Sequence, residues 1–122
     1  MLVRAIATST SGSTPWGYAR MHFANEQGDT ATAERYRAKA AELKANFNRD
    51  FWLEDKGWFA IALDGRKRPV DSLASNMGHC LWTGIVDTDK AARVAEHLLS
   101  PPMFSGWGVR TLATTMGGYN PI

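Results

Sequence analysis

The stretch GDTATAERYRAKAAELKANFNRDF, residues 28–51, decides the fold. Ala33, Tyr36, Ala40, Leu43, Phe47 and Phe51 recur at steps of three or four, which puts them on one face of a long helix. Glu34, Arg35, Lys39, Glu42 and Lys44 fall on the opposite face and are expected in water. Asp29 supplies the cap at the front of this helix. Just before it, Gly28 is the stop of an earlier helix, which Thr14-Pro15 opens with a hydroxyl cap and a proline at the first helical position. Two helices, over 15–27 and from Asp29 onward, are therefore expected to fold back on each other as an antiparallel hairpin.

Downstream the period changes. Glu54-Asp55-Lys56-Gly57 signals a turn, and Trp58-Phe59-Ala60-Ile61-Ala62-Leu63 reads as a strand-like run closed by Asp64-Gly65. A short β-excursion is expected near residues 57–64, and Arg66-Lys67-Arg68-Pro69 continues as a solvated loop. A third helix is expected over 72–83, with Leu73, Met77, Leu81 and Ile85 as its stripe and Gly84 as its end. Asp87 or Thr88 caps a fourth, whose buried side is Ala91, Val94, Ala95, Leu98 and Leu99 and whose stop is Ser100-Pro101-Pro102. Residues 103–122 are rich in glycine and show no period, the mark of a loop that carries function. The fold class is mainly α, built of antiparallel helical hairpins. A flexible segment over 1–14 precedes one domain over 15–122.

Composition narrows the function. The length of 122 residues suits one domain, and 44% hydrophobic against 21% charged residues suits a globule. A net charge of +2 argues for neither nucleic acid nor an acidic membrane surface as partner. No run is apolar enough to span a bilayer and no secretory signal is read, so the cytoplasm is the expected compartment. Cys80 stands alone, which excludes an internal disulfide and a cysteine-rich metal site. With no activating base in view it reads as a small buried hydrophobe, and no metal or cofactor is expected. Five tryptophans are the unusual feature.

Several motifs in order carry a resemblance. Phe47-Asn48-Arg49-Asp50-Phe51-Trp52, Ala62-Leu63-Asp64-Gly65-Arg66-Lys67-Arg68-Pro69-Val70-Asp71 and Ser75-Asn76-Met77-Gly78-His79-Cys80-Leu81-Trp82-Thr83-Gly84-Ile85 resemble bacterial proteins of the amylo-alpha-1,6-glucosidase, or glycogen debranching, type. Ser105-Gly106-Trp107-Gly108-Val109-Arg110-Thr111-Leu112 and Tyr119-Asn120-Pro121 extend the match over roughly residues 16–122. The resemblance implies a six-hairpin glycosidase, a toroid of twelve helices around a sugar site. Twelve helices with ordinary loops need on the order of 200 residues or more. With about four helices, the chain would thus be an incomplete α/α toroid, about a third of one, from the later part of the catalytic domain. The resemblance further implies an inverting hydrolase whose acid lies upstream of the matched stretch and whose base lies beyond Pro121. No catalytic residue is assigned within the chain, which is expected to be inactive alone.

Four residues are candidates for substrate contact. Trp107, between Gly106 and Gly108, can offer a flat ring to the apolar face of a sugar, or can plug the core under the loop. Arg110 can bond sugar hydroxyls through its planar fork or brace the loop against a carboxylate. Asn76 and His79 lie one turn apart on one face of the third helix and either point at the site or satisfy backbone groups between helices. Asp71 reads as the cap of that helix. Trp52, Trp58, Phe59 and Trp82 are expected to pack between layers.

The expected function is that of a fragment of a glycogen-debranching glycoside hydrolase, with an oligosaccharide or α-glucan as partner by resemblance. The alternative is a stand-alone, non-catalytic helical module that self-associates or binds carbohydrate or a protein. Four helices taken from a toroid would leave apolar faces bare, so a homo-oligomer is expected.

Overall fold

Helix α1 (Thr14–Glu26) and helix α2 (Thr30–Asp50) form the expected hairpin. The computed structural model describes residues 14–121, so the expected flexible segment lies outside them but for Thr14. Gly28 turns the chain at φ +73°, a backbone setting that side chains with a Cβ resist. Asp29 caps α2 by accepting from the Thr32 N–H at 3.0 Å. Ala33, Tyr36, Ala40 and Phe47 are buried along the face that their spacing indicated. Lys44 departs from the solvated face: it is half-buried and donates to the Gly84 carbonyl at 3.0 Å.

The β-excursion is wider than 57–64 and is split. Strand β1 (Trp52–Leu53) pairs antiparallel with β2 (Trp58–Phe59), and β3 (Ala62–Leu63) with β4 (Pro69–Val70). The apolar run 58–63 therefore serves two hairpins and not one strand. Its break comes where the Ala60 N–H bonds back to the Phe51 carbonyl while the Ile61 N–H bonds forward to Val70.

Helix α3 (Met77–Trp82) is shorter than the 72–83 that its apolar stripe indicated. The cause is competition for the backbone. Ala74 bridges Leu112, the Ala113 N–H donates to the Leu73 carbonyl at 3.0 Å, and the Ser75 N–H donates to the Thr111 carbonyl at 3.1 Å. Those groups cannot also serve a helix. Asp71 consequently caps nothing; it accepts from the Trp58 indole N–H at 2.8 Å and lies 3.8 Å from the Lys56 ammonium.

Helix α4 (Thr88–Leu99) buries Val94 and Leu98, but Leu99 is 66% exposed, because it turns off the α3-facing side at the last residue. Phe59, Met77, Cys80, Ile85, Val94 and Met103 are the largest fully buried side chains of the core. Residues 103–113 thus contribute to the core as well as to the surface, through Met103 and Ala113. Asn48 is the one buried polar side chain described. It donates to the Lys44 and Ile85 carbonyls at 2.8 and 2.7 Å and accepts from the Asp87 N–H at 3.0 Å, tying α2 to the turn that leads into α4.

Candidate functional site

The chain leaving α4 is fastened before it projects. The Met103 and Phe104 N–H groups bond the Ser100 carbonyl, and the buried Met103 in turn accepts from the Arg110 N–H at 2.7 Å. Phe104 bridges Val109, so residues 105–108 form the tip of a very short hairpin. Ser105 holds that tip: its hydroxyl accepts from the Trp107 and Gly108 N–H groups at 3.3 and 3.1 Å and donates to the Gly108 carbonyl at 2.9 Å. Gly106 stands at φ +91°, where a side chain would be strained. With the Ser105, Trp107 and Gly108 N–H groups and the Gly108 carbonyl all engaged, the tip is held and the Trp107 side chain stands in solvent at 99% exposure. It does not plug the core.

Arg110 leaves the same hairpin and donates from Nη1 to the Pro101 carbonyl at 3.3 Å. That contact braces the loop, with a carbonyl where a carboxylate was expected. The remaining guanidinium N–H groups have no partner among the described residues.

The pairing of 73–75 with 111–113 brings the loop beside the start of α3, where Asn76 and His79 stand. Asn76 is half-buried and makes no side-chain cap bond, while His79 is exposed. Among the described residues no hydrogen bond or ring contact joins either of them to Trp107 or Arg110. The fold therefore places the four candidates on neighbouring segments without linking them directly.

Trp82 is the residue that sequence reasoning misjudged. It ends α3 at 84% exposure, and it does not pack between layers. His79 and Trp82 stand three residues apart on the side of α3 away from the buried Met77 and Cys80, and that spacing is the available signal.

The acidic groups are largely committed elsewhere. Glu54 accepts from the Trp52 indole N–H and from Arg93, which hold its carboxyl below the usual range. The backbone N–H and side chain of Arg68 do the same for Asp64. Thr32 does it for Asp29. Each of these shifts runs opposite to what a general acid needs. Asp50 pairs with Arg49, Asp87 with Lys90 and Glu34 with Arg37. Burial pushes the Cys80 thiol up to about 12, which leaves it without nucleophilic character at neutral pH. Among the described residues no group of three His, Cys, Asp or Glu side chains could hold a metal ion, and no helix is long and apolar enough to cross a membrane.

The family model described as the Mannosylglycerate hydrolase MGH1-like glycoside hydrolase domain matches residues 19–121. No curated protein matches the chain.

Proposed function

We infer the function from one premise: the chain belongs to the MGH1-like glycoside hydrolase domain family. It is an incomplete α/α toroid, the later part of a whole one that cleaves an α-glycosidic bond, and its own role is to hold substrate. Trp107 supplies the flat apolar surface for a pyranose ring, and Arg110, with N–H groups to spare, supplies donors for hydroxyls beside it. Asn76, His79 and the exposed Trp82 extend that surface along α3. The substrate is an oligosaccharide or α-glucan of the kind that debranching α-1,6-glucosidases cleave. The name of the matched family adds mannosylglycerate as a second glycoside worth offering.

Inverting glycoside hydrolysis needs two carboxyl groups roughly 6.5–9.5 Å apart across the scissile bond, one of them with a raised pKa. Asp29, Glu54 and Asp64 are all shifted the other way, and Asp71 is occupied by Trp58 and Lys56. The chain alone is therefore expected to bind sugar and not to turn it over.

Titration with maltooligosaccharides should quench part of the tryptophan fluorescence, and Trp107→Ala should abolish the change. Quenching that persists undiminished in that variant would remove Trp107 from the site. Release of free sugar from α-glucan or mannosylglycerate by the purified chain would overturn the inactive reading.

Exposed Trp82, Leu99 and Phe104 support a second reading, a homo-oligomer joined through apolar faces. Light scattering should then give a mass above that of one chain, and a monomeric mass at working concentration rejects it.

A further inference from the structure

A cleft of about 250 Å³ opens where α1 turns into α2, lined by Arg20, Phe23, Ala24, Gln27, Asp29 and Thr32. Its origin lies in the way α1 packs. Gly17 and Ala24, seven residues apart, are buried where α1 lies against α2, so the helices can approach closely, while the larger Phe23 points outward at 64% exposure. The Arg20 guanidinium lies 5.0 Å from the centre of the buried Tyr36 ring, a cation–π contact that holds it at the cleft. Neither this guanidinium nor the Gln27 carboxamide has a hydrogen-bond partner among the described residues, so both face the cleft with unused capacity. Asp29, already engaged by Thr32, leaves one anion in the same wall.

We propose that this cleft is a second saccharide subsite, taking one neutral pyranose unit whose apolar face lies on Phe23 and whose hydroxyls bond Arg20 and Gln27. A cation and an anion line it together, so an ionic ligand attracted by one is repelled by the other. A polyol, with donors and acceptors on every carbon, suits both. The volume falls below the roughly 300–1,000 Å³ of pockets for drug-sized ligands, which fits a single ring better than a chain. The choice of a sugar rests on the glycoside hydrolase reading above, whereas the place of the site is independent of Trp107.

Nitrogen–proton correlation spectra of the 122-residue chain, titrated with methyl α-mannopyranoside and with maltose, test it. Saturable shifts are expected at residues 20–32. Arg20→Lys, which loses the planar fork, and Phe23→Leu, which keeps bulk without a ring face, should each weaken them about tenfold. Both variants keep a side chain of similar size at an exposed position, and unchanged signals from the core confirm their folding. Trp107→Ala should leave the shifts at 20–32 as they are. Shifts confined to residues 104–111 would overturn this site and keep the Trp107 reading. Shifts at 20–32 alone would keep this site and overturn Trp107, and silence at both places sinks the two together. Wild-type affinity in Arg20→Lys and Phe23→Leu would also overturn it.

Discussion

Trp52 and Trp58 in the β1–β2 hairpin, and Trp82 and Trp107 at the end of α3 and on the 105–108 tip, carry the same indole under opposite terms. Trp52 donates to Glu54, packs edge-on against Phe59 at 4.9 Å, and lies beneath the Arg93 guanidinium at 5.1 Å. Trp58 donates to Asp71 and meets the His97 ring edge-on at 4.9 Å. Ring and N–H are both used. Trp82 and Trp107 have no such partners among the described residues and stand in water. The difference teaches where to look for function. An indole whose ring and donor are both occupied holds the hairpin β1–β2 against α4. One whose ring and donor are both free, on a backbone held as the tip at 105–108 is, is the candidate for a ligand contact proposed above.

The largest effect that would break the occupied side is Phe59→Ala. The ring is fully buried and stacks on Phe47 at 4.7 Å as well as against Trp52, so its removal should cost about 3–5 kcal/mol. Chemical denaturation followed by fluorescence measures this; a loss below about 1 kcal/mol would mean that the ring cluster is loosely packed. Gly57→Ala comes next. Gly57 has φ +80°, and an added Cβ would sit 2.9 Å from Arg93 Nη2 and 3.0 Å from His97 Nε2. Strain and displacement of both partners should cost roughly 1–3 kcal/mol, and the midpoint of thermal unfolding would register it.

A pH series sharpens the comparison further. The Trp52 N–H, then Arg93, depress the pKa of Glu54 in the folded state. Its contribution to stability is therefore present above the unfolded value, near 4.5, and is lost as pH falls through the lower folded value. Glu54→Gln should flatten the thermal midpoint's dependence on pH below that value, and an unaltered slope would show that the contact contributes nothing. Cys80 works in the other direction. Burial raises its pKa to about 12 from 9.0, so stability is complete below 9 and declines as pH rises toward 12. In native protein at neutral pH it should resist a thiol reagent until the chain unfolds. The smallest effects belong to the free side: Trp82→Ala and Trp107→Ala should each leave stability within about 0.5 kcal/mol of wild type. A larger loss in either would transfer that tryptophan to the structural pair.

The local punctuation of the chain was sufficient to determine the α1–α2 hairpin and the end of α4. The Gly28 stop, the Asp29 cap, the face from Ala33 to Phe47 and the stop after Leu99 depend on neighbours within a turn or two, and all of them stand as the spacing indicated. Motif order was likewise enough to reach a glycoside hydrolase family. The candidate site was legible only in part: Trp107 and Arg110 follow from a glycine-flanked loop, whereas the exposure of Trp82 does not. Tertiary structure decided whatever turned on a distant partner. The helical stripe begins at Leu73, yet 73–75 give their backbone to 111–113, 36 to 40 positions away, so α3 shortens and Asp71 is released to Trp58. Asn48 is buried because the turn at 85–87 arrives to meet it. Periodicity records which side of a segment is apolar. Which of two competing hydrogen-bond partners a backbone group takes is settled only when the remote strand is in place.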